Sequence, residues 1–378
     1  MALASSPDVL VIGGGLVGAS IAFGLARQGV AVTILDEGDV AFRATRGNFG
    51  LVWVQNKGVG MPVYAQWSRD AAALWPDLAG DLLALTGIDV QLQQPGGFYL
   101  CFTEAEMEAR RRTLAGIQQS VAGPYPFEMM DRAALRERLP AIGSEVAGGS
   151  YTPMDGHVNP LKLFRSLHAA CLHHGVRVVP GARVERITHG RAAFHVKTAT
   201  GTHAAPRLVL AAGLGNARLA PQVGLHAPVV PNRGQIIVTE RLRPVRPFPT
   251  NKLRQTDEGT VQIGDSVEDV GFDDTTTLDV LQFMARRAVR AFPLLRDVNI
   301  VRAWGALRVM TPDGFPLYEE SRTCPGAFVA TCHSGVTLAA THVLRVAPWI
   351  ATGLEPAGIA AFGSGRFAQP SKKSMYVN

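Results

Sequence analysis

The feature that most constrains the fold is a glycine-rich loop near the start of the chain, set between two apolar segments. An apolar strand that begins at Asp8 and ends at Ile12 leads into Gly13-Gly14-Gly15-Leu16-Val17-Gly18, and a second apolar run, residues 31–35, ends at Asp36. A strand, a tight glycine turn, a helix and a second strand in this order form a βαβ unit of the dinucleotide-binding type. The pattern therefore predicts a parallel sheet with helices on its faces.

Each glycine of the loop has a mechanical role in such a unit. Gly13 allows the tight turn, Gly15 lets the backbone approach a pyrophosphate, and Gly18 lets the helix pack closely on the strand. The free N–H groups at the start of the helix favour an anion. Asp36 stands where a carboxylate accepts hydrogen bonds from both hydroxyls of an adenosine ribose, so the motif predicts FAD or NAD rather than NADP.

Residues 9–26 carry no charge, which is also typical of a signal peptide or a membrane span. Glycine and polar interruptions, the absence of a preceding basic residue and the absence of a small-residue cleavage site argue against both. We therefore expect a cytoplasmic chain with reduced thiols and no transmembrane segment.

Composition narrows the class of protein further. The 378 residues, 47% of them hydrophobic, are enough for two domains or one elaborated α/β domain. The net charge of +6 comes mostly from scattered arginines, so nucleic-acid binding is not expected, whereas an anionic substrate fits. The four cysteines stand far apart and the histidines lack ligand spacing, so no metal or iron–sulfur cluster is expected.

The remaining sequence alternates between α/β and antiparallel patterns. Residues 61–85 predict a helix broken near Pro76, and residues 91–102 predict strands around a turn at Pro95-Gly96-Gly97. Thr103 to Glu106 read as a capping box that opens a helix. Asn159-Pro160 predicts another helix start, followed by strands at 176–179, 182–187, 194–198 and 208–211.

The last third of the chain has two parts. Residues 228–302 predict an antiparallel insertion with a helix over 278–292. A final strand, residues 327–330, leads through His333-Ser334-Gly335 into a helix from Val336. Donors at the start of that helix would favour negative charge nearby.

The chain resembles the family of FAD-dependent amine and amino-acid oxidoreductases that includes glycine oxidase, D-amino-acid oxidase and sarcosine oxidase. The resemblance covers nearly the whole chain and rests on these motifs: Val11-Ile12-Gly13-Gly14-Gly15, Gly181-Ala182-Arg183-Val184, Ala211-Ala212-Gly213, Arg233-Gly234-Gln235, Trp304-Gly305-Ala306-Leu307-Arg308, Thr311-Pro312-Asp313-Gly314 and Cys332-His333-Ser334-Gly335-Val336-Thr337-Leu338. Within the family, residues 47–53 look most like the catalytic beta subunits of heteromeric opine and D-hydroxyproline dehydrogenases and of cyanide synthase. One departure is Ala306-Leu307-Arg308-Val309, where glycine oxidases carry Gly-Leu-Arg-Pro.

This resemblance implies a two-domain α/β (α+β) fold. A Rossmann-like FAD-binding domain with a central parallel sheet would comprise residues 1–60, 145–225 and 300–378. A substrate-binding domain built on an inserted antiparallel sheet would comprise residues 61–144 and 226–299. The FAD would be bound non-covalently, because no cysteine lies close in sequence to Thr311-Pro312-Asp313.

The cofactor-binding residues follow from the glycine loop, from the polar loop after it and from the family motifs. They are Gly13, Gly15, Leu16, Val17, Gly18, Asp36, Glu37, Arg43, Thr45, Arg46, Gly47, Asn48, Gly50, Leu51, Val184, Ala212, Gly213, Gly305, Arg308, Ser334, Gly335, Val336, Thr337 and Leu338.

Two residues are candidates for catalysis. Arg308 is expected to bind a substrate carboxylate, because a guanidinium donates two parallel hydrogen bonds and stays charged in a desolvated pocket. His333 either assists deprotonation of the amine or makes a structural hydrogen bond. Further substrate contacts are expected from Trp53, Gln55, Arg254 and Gln255, although Trp53 also suits a core position and the last two also suit the surface.

Three functions remain open on the sequence. The first is oxidation of the Cα–N bond of an amino acid or an N-substituted amino acid, such as an opine or D-hydroxyproline, by hydride transfer to the flavin. The chain would then act as the catalytic subunit of a dehydrogenase complex, with partner subunits that carry further redox centres and hold it at the inner membrane. The second is a stand-alone glycine or D-amino-acid oxidase that produces hydrogen peroxide, and the third is a flavin-binding assembly subunit without catalysis.

Overall fold

The structure is a computed structural model, and it describes residues 7–38, 44–243, 248–264 and 266–368. The strands, in chain order, are β1 (Val9–Ile12), β2 (Val32–Leu35), β3 (Leu51–Val52), β4 (Gly97–Cys101), β5 (Glu128–Asp131), β6 (Gly148–Thr152), β7 (Gly156–His157), β8 (Arg177–Val179), β9 (Val184–His189), β10 (Phe194–Thr198), β11 (Gly201–Ala205), β12 (Arg207–Leu210), β13 (Val230–Arg241), β14 (Leu253–Gln255), β15 (Thr260–Ile263), β16 (Ile300–Met310), β17 (Leu317–Glu320) and β18 (Ala327–Thr331). The α-helices are α1 (Leu16–Ala26), α2 (Pro62–Thr86), α3 (Glu104–Ser120), α4 (Arg132–Arg138), α5 (Pro160–His173), α6 (Asn216–Leu219), α7 (Leu278–Ala291), α8 (Ala339–Thr341) and α9 (Ala347–Thr352). A π-helical turn, His342–Val346, joins α8 to α9.

The largest sheet in the described part of the chain has six strands in the order β17-β18-β12-β1-β2-β8. All neighbouring pairs are parallel except β17 with β18. The residues of β1 are fully or almost fully buried, as expected for a strand with helices on both faces of the sheet. The parallel sheet predicted from the glycine loop is confirmed.

The carboxyl ends of four strands meet at one edge of this sheet. β1 leads into Gly13, β2 into Asp36, β12 into Ala211 and β18 into Cys332. Ligands of open α/β sheets bind in the crevice outside the carboxyl ends of the strands. This edge is therefore where a dinucleotide site is expected.

Two antiparallel sheets form a second layer of structure. One has the order β14-β15-β13-β16 and the other β4-β6-β5. Apolar side chains from both sheets share a hydrophobic core with α7, including Phe98, Met130, Ile237 and Met284. This arrangement confirms the predicted antiparallel insertion.

The predicted domain boundaries fall inside two of these ladders. The sequence places the returns to the FAD-binding domain at residues 145 and 300, yet β6 pairs with β4 and β5, and β16 pairs with β13. A domain boundary that cuts a hydrogen-bonded ladder would separate strands that fold together. We therefore propose boundaries after residues 152 and 310.

The break predicted near Pro76 is wrong, because α2 runs without interruption from Pro62 to Thr86. Proline has no N–H, so the carbonyl of Ala72, four residues earlier, loses its partner within the helix. The side chain of Gln94 donates a hydrogen bond to that carbonyl, from Nε2 to O at 2.9 Å. A residue outside the helix therefore satisfies the carbonyl that the proline leaves without its partner.

Three smaller predictions need correction. Residues 91–102 contain the single strand β4, while Gln93 forms only an isolated bridge with His157. The helix expected from Val336 begins at Ala339, after a turn over residues 335–338. Thr103 caps α3 as predicted, by accepting a hydrogen bond from the N–H of Glu106, but the Glu106 carboxylate accepts from Phe102 N–H rather than from Thr103.

Neither a membrane-spanning helix nor a metal cluster is found among the described residues. No helix there is both long and apolar enough to cross a bilayer. Within the same ranges, no group of three or more His, Cys, Asp or Glu side chains is placed to hold a metal ion.

Candidate active site

The glycine loop adopts a conformation that depends on glycine at two positions. Gly13 has a φ of +98°, and a Cβ there would lie 2.5 Å from the carbonyl oxygen of Ala211. A Cβ at Gly18 would overlap the carbonyl oxygen of Gly13. The close approach of β1, α1 and β12 therefore excludes any larger side chain at either position.

Asp36 and Thr45 hold the backbone of this loop. The Asp36 carboxylate accepts hydrogen bonds from Gly14 N–H at 2.7 Å and from Gly38 N–H at 2.8 Å. The Thr45 hydroxyl accepts one from Leu16 N–H at 3.0 Å. The loop is thus fixed in position by side chains that follow the second strand.

A first cavity, the sheet-edge cavity, lies at the carboxyl ends of the parallel strands. Its lining combines the glycine loop, the end of β2, the start of β9 and the ends of β12 and β18. Of the predicted cofactor residues it includes Gly13, Gly15, Leu16, Val17, Asp36, Glu37, Thr45, Asn48, Val184, Ala212, Gly213 and Gly335.

A second cavity, the Arg308 cavity, lies under the antiparallel sheet. Of the predicted residues it is lined by Gly47, Asn48, Leu51, Trp53, Arg308, His333, Ser334, Val336 and Thr337. The two cavities share Ala44, Asn48, Val309, Cys332 and His333. They therefore form one elongated cleft that runs from Asp36 to Arg308.

Arg308 is held in place at its end of the cleft. Its Nη1 donates a hydrogen bond to Asn232 Oδ1 at 3.0 Å, across the ladder between β13 and β16. A Cβ at Gly234 would overlap the guanidinium, so glycine at this position makes room for it. Position 234 lies beside Arg308 because the two strands pair antiparallel.

The Arg308 cavity is rich in positive charge. Lys57 and Lys252 also line it, and among its described lining residues Asp313 is the one carboxylate. Arg366 donates hydrogen bonds to both oxygens of that carboxylate, from Nε to Oδ2 at 2.6 Å and from Nη2 to Oδ1 at 3.3 Å. The cavity therefore suits an anionic ligand.

Cys332 lines both parts of the cleft as a neutral thiol. Burial raises the pKa of the Cys332 thiol to about 12. A thiolate is the reactive form of cysteine, so this side chain is an unreactive part of the wall.

Several predicted residues do not line either cavity. Arg46 and Gly50 lie in the segment between β2 and β3. Gly18 and Leu338 are buried in the interior. Gly305 lies against the carbonyl groups of Asp274 and Thr275. Arg43 lies outside the described residues.

Three predicted substrate residues are placed elsewhere by the structure. Gln55 is completely buried and bonded to Asp155, Gly97 and Arg110. Arg254 is buried with its Nε bonded to the carbonyl of Phe49, and burial lowers its pKa to about 10. Gln255 donates to the carbonyl of Gly259 in its own hairpin and to the carbonyls of Leu242 and Arg243, which follow β13.

Two lysines that the sequence analysis did not select, Lys57 and Lys252, line the Arg308 cavity. Lys57 lies two positions after Gln55, and Lys252 lies two positions before Arg254. Gln55 and Arg254 are two of the substrate contacts predicted from the sequence. Lys57 could have been found from the sequence, because it is a basic residue in the same loop as the predicted substrate contacts Trp53 and Gln55. Nothing in the sequence distinguishes Lys252 from Arg254, because the structure decides which side chain faces the cavity.

The cleft fits a flavin dinucleotide. The positive end of α1 and the close backbone at Gly15 suit a pyrophosphate, and Asp36 and Val184 line the far end, where an adenosine would lie. The Arg308 cavity continues from there and leaves space for a ring system and a second, anionic ligand. Fold and site together define a dinucleotide-binding flavoprotein with an adjoining ligand cavity.

Comparison with known proteins agrees with this class. The model of the family "FAD dependent oxidoreductase" matches residues 8–344. An opine oxidase subunit of Agrobacterium tumefaciens (strain Ach5) is 46% identical over 361 residues, which cover 95% of this chain and 97% of that protein. The corresponding opine oxidase subunit of Rhizobium meliloti is 43% identical over the same shares of the two chains.

A solved structure shows the same fold. Glycine oxidase from Geobacillus kaustophilus superposes with a TM-score of 0.86 at 27% identity, covering 95% of this chain and 98% of that chain. The chain belongs to the FAD dependent oxidoreductase family, and FAD is its cofactor. The resemblance inferred from the sequence motifs is confirmed.

Proposed function

We propose that this protein oxidises the Cα–N bond of an N-substituted amino acid of the opine type. The observation that carries the proposal is Arg308, a guanidinium held at the end of a cavity that is continuous with the FAD cleft. Bound FAD would supply the hydride acceptor for the carbon that bears the nitrogen, and loss of that hydride and of the amine proton would leave an imine for hydrolysis by water. The names of the two bacterial relatives, both opine oxidase subunits, support this class of substrate.

The roles of the protein's own residues follow from their places in the cavity. Arg308 would bind the substrate carboxylate through two parallel hydrogen bonds and so fix the substrate's orientation. Trp53 would supply an apolar wall, since it lines the same cavity and is only 6% exposed. His333 would accept a proton from the substrate amine, because it lines both parts of the cleft.

A second cation supports an N-substituted substrate over a simple amino acid. Lys252 precedes β14, at the edge of the four-stranded sheet opposite to β16, and lines the same cavity as Arg308. An opine carries carboxylates on both sides of its secondary amine, so Arg308 and Lys252 would each bind one of them. A simple amino acid has one carboxylate at its Cα and would engage Arg308 alone.

We also propose that the chain works as the catalytic subunit of a dehydrogenase complex. Both relatives are named as subunits of an oxidase, which implies at least one partner chain for each of them. Partner subunits with further redox centres would accept the electrons from the flavin. The assembly would be cytoplasmic, at the inner membrane through those partners, and the FAD would be bound non-covalently.

The test is anaerobic reduction of the bound flavin, followed as bleaching at about 450 nm. The panel consists of glycine, sarcosine, proline, D-amino acids, D-hydroxyproline, iminodiacetate, octopine and nopaline. We expect rapid bleaching with one of the opines and slow reoxidation in air. Bleaching by none of these compounds, with FAD bound, would overturn the proposal.

Arg308 is tested with two variants. Arg308→Ala should raise the substrate concentration for half-maximal bleaching about 100-fold or more, because a charge-assisted bidentate contact is lost. Arg308→Lys should recover only part of the affinity, since an ammonium lacks the planar pair of donors. Equal affinity in all three proteins would remove Arg308 from substrate binding.

Lys252 is tested with ligands that differ by one carboxylate. Thiodiacetate and (methylthio)acetate both carry sulfur in place of nitrogen, so neither can be oxidised as an amine. Lys252→Met should weaken thiodiacetate about tenfold and leave (methylthio)acetate unchanged, as measured by perturbation of the flavin spectrum. An equal change for both ligands would contradict recognition of a second carboxylate.

A stand-alone oxidase is the second candidate, favoured by the structural similarity to glycine oxidase. Such an enzyme would consume oxygen and release hydrogen peroxide when purified alone with its substrate. The dehydrogenase subunit would do so slowly and would need an artificial acceptor. Oxygen consumption by the single purified chain therefore distinguishes the two.

A further inference from the structure

A cluster of polar side chains surrounds Ser334 in the Arg308 cavity. Lys57 Nζ donates a hydrogen bond to Ser334 Oγ at 2.7 Å, and the hydroxyl of Tyr64 donates one to the same oxygen at 2.9 Å. His333 Nδ1 lies 3.3 Å from that oxygen. All four side chains line the cavity.

The hydrogen bonds determine what the Ser334 hydroxyl can do. A serine oxygen has two lone pairs for accepting and one hydrogen for donating. Lys57 and Tyr64 use both lone pairs, so the hydrogen is left to donate to another acceptor. The acceptors within reach are His333 Nδ1 and a ligand atom in the cavity.

Tyr64 stays a donor at every physiological pH. Its side chain is 3% exposed, and burial raises the pKa of its hydroxyl well above the ordinary value. It lies on α2, and its ring packs edge-on against Phe315 with a centroid distance of 5.5 Å. The Tyr64 hydroxyl therefore keeps the proton that it donates to Ser334 Oγ.

Lys57 follows a loop, residues 54–56, that is held in place by a buried network of hydrogen bonds. The carboxylate of Asp155 accepts hydrogen bonds from Val54 N–H and from Gln55 Nε2, both at 2.6 Å. Arg110 donates to the side chains of Gln55 and Asn56 and to Ser150 Oγ. Each residue from 54 to 56 is thus anchored, so Lys57 enters the cavity from a rigid support.

We propose that Lys57 acts through Ser334 to stabilise the reduced flavin. Uptake of two electrons and one proton would convert a neutral flavin into an anion, which a nearby cation and a polarised hydroxyl donor would favour. Lys57 is then a positioning residue that turns the Ser334 hydroxyl toward the cofactor and adds positive charge. This role of Lys57 requires bound FAD but does not depend on the identity of the substrate. It can therefore be tested independently of the proposed function.

The first measurement is the two-electron reduction potential of the bound flavin, obtained by equilibration with reference dyes. Lys57→Met should shift the reduction equilibrium toward the oxidised form about tenfold, which corresponds to about 30 mV for two electrons. Ser334→Ala should give a shift of the same sign, and the double variant should exceed the larger single shift only slightly. Lys57→Arg should retain most of the wild-type potential.

The second measurement is the dissociation constant of the flavin–sulfite adduct, which is also an anion and needs no substrate. Lys57→Met and Ser334→Ala should each weaken it about tenfold. Lys162→Met is the matched control, because Lys162 pairs with Asp257 away from the cleft, and it should change neither quantity.

Two results would overturn the proposal. An unchanged potential and unchanged sulfite affinity in Lys57→Met with FAD bound would exclude any electrostatic role of Lys57. A shift in Lys57→Met without one in Ser334→Ala would exclude transmission through Ser334. Should Lys57→Met fail to retain FAD, Lys57→Gln and Ser334→Ala decide by the same criteria.

Discussion

At the scale of single residues, Gly234 provides the space that the guanidinium of Arg308 occupies. A Cβ at this position would overlap the guanidinium of Arg308 on the neighbouring strand. The space is available because β13 and β16 pair antiparallel, with Asn232 opposite Arg308 and Gly234 opposite Ala306.

We expect Gly234→Ala to displace Arg308 and to weaken substrate binding about tenfold, by a misplaced hydrogen bond rather than by a lost charge. The substrate concentration for half-maximal flavin reduction measures this effect. FAD content should stay unchanged, because position 234 does not line the sheet-edge cavity. Wild-type substrate affinity in Gly234→Ala would show that Arg308 does not need this position.

His342 makes the stability of the protein depend on pH. It is fully buried, its Nε2 lies 2.8 Å from the hydroxyl of Tyr318, and burial lowers its pKa to about 3. The unfolded chain takes up a proton at this residue below its ordinary pKa of about 6.5. The unfolded state therefore binds more protons between these two values, and stability is lost as the pH falls through this window.

The expected slope from His342 is up to about 1.4 kcal/mol per pH unit below pH 6. His342→Gln should be less stable at pH 7, yet its free energy of unfolding should fall less steeply between pH 6.5 and pH 5. Urea unfolding at several pH values gives both slopes. Parallel curves for the two proteins would contradict the assignment.

At the scale of elements, α2 shows how a helix tolerates an internal proline. The Ala72 carbonyl that Pro76 leaves open is bonded to Gln94, which lies before β4. The helix therefore stays continuous over 25 residues and brings Tyr64 to the cavity at its first turn.

A double-mutant cycle tests this compensation. Gln94→Ala should destabilise the protein by about 1–3 kcal/mol, since it leaves a carbonyl without its partner. In a Pro76→Ala background the same change should cost much less, because the N–H at position 76 then bonds to Ala72. Free energies of unfolding of the four proteins measure the coupling, and equal costs in both backgrounds would contradict it.

At the scale of the whole molecule, the cleft is assembled from segments far apart in the chain. Gly13, Ala212 and Cys332 all line it, and each follows the carboxyl end of a different strand of the six-stranded sheet. FAD bound there would contact all of them at once and would favour the folded state over the unfolded one.

Removal of FAD should therefore lower the unfolding temperature, and added FAD should restore it in a concentration-dependent way. FAD at 100 times its dissociation constant stabilises the folded state by about 2.7 kcal/mol. Thermal unfolding at a series of FAD concentrations checks this expectation. Asp36→Ala should need more FAD for the same shift, whereas an unfolding temperature independent of FAD would contradict binding in the folded cleft.

The sequence alone determined the local units of this protein. The glycine loop and Asp36 predict the βαβ unit, because their spacing and backbone requirements are set within about 30 residues. The caps at Thr103 and Asn159, the family and its cofactor also follow from short motifs, and the structure and the comparisons agree with each.

The tertiary structure decided which side chains face the cleft. Gln55 and Lys57 lie in one loop, yet Asp155 and Arg110 hold the first inside while Ser334 receives the second in the cavity. Lys252, just before β14, lines the cavity, whereas Arg254 within β14 is buried and donates to the carbonyl of Phe49. These choices depend on partners about 50 to 280 residues away in the chain, which no local pattern specifies.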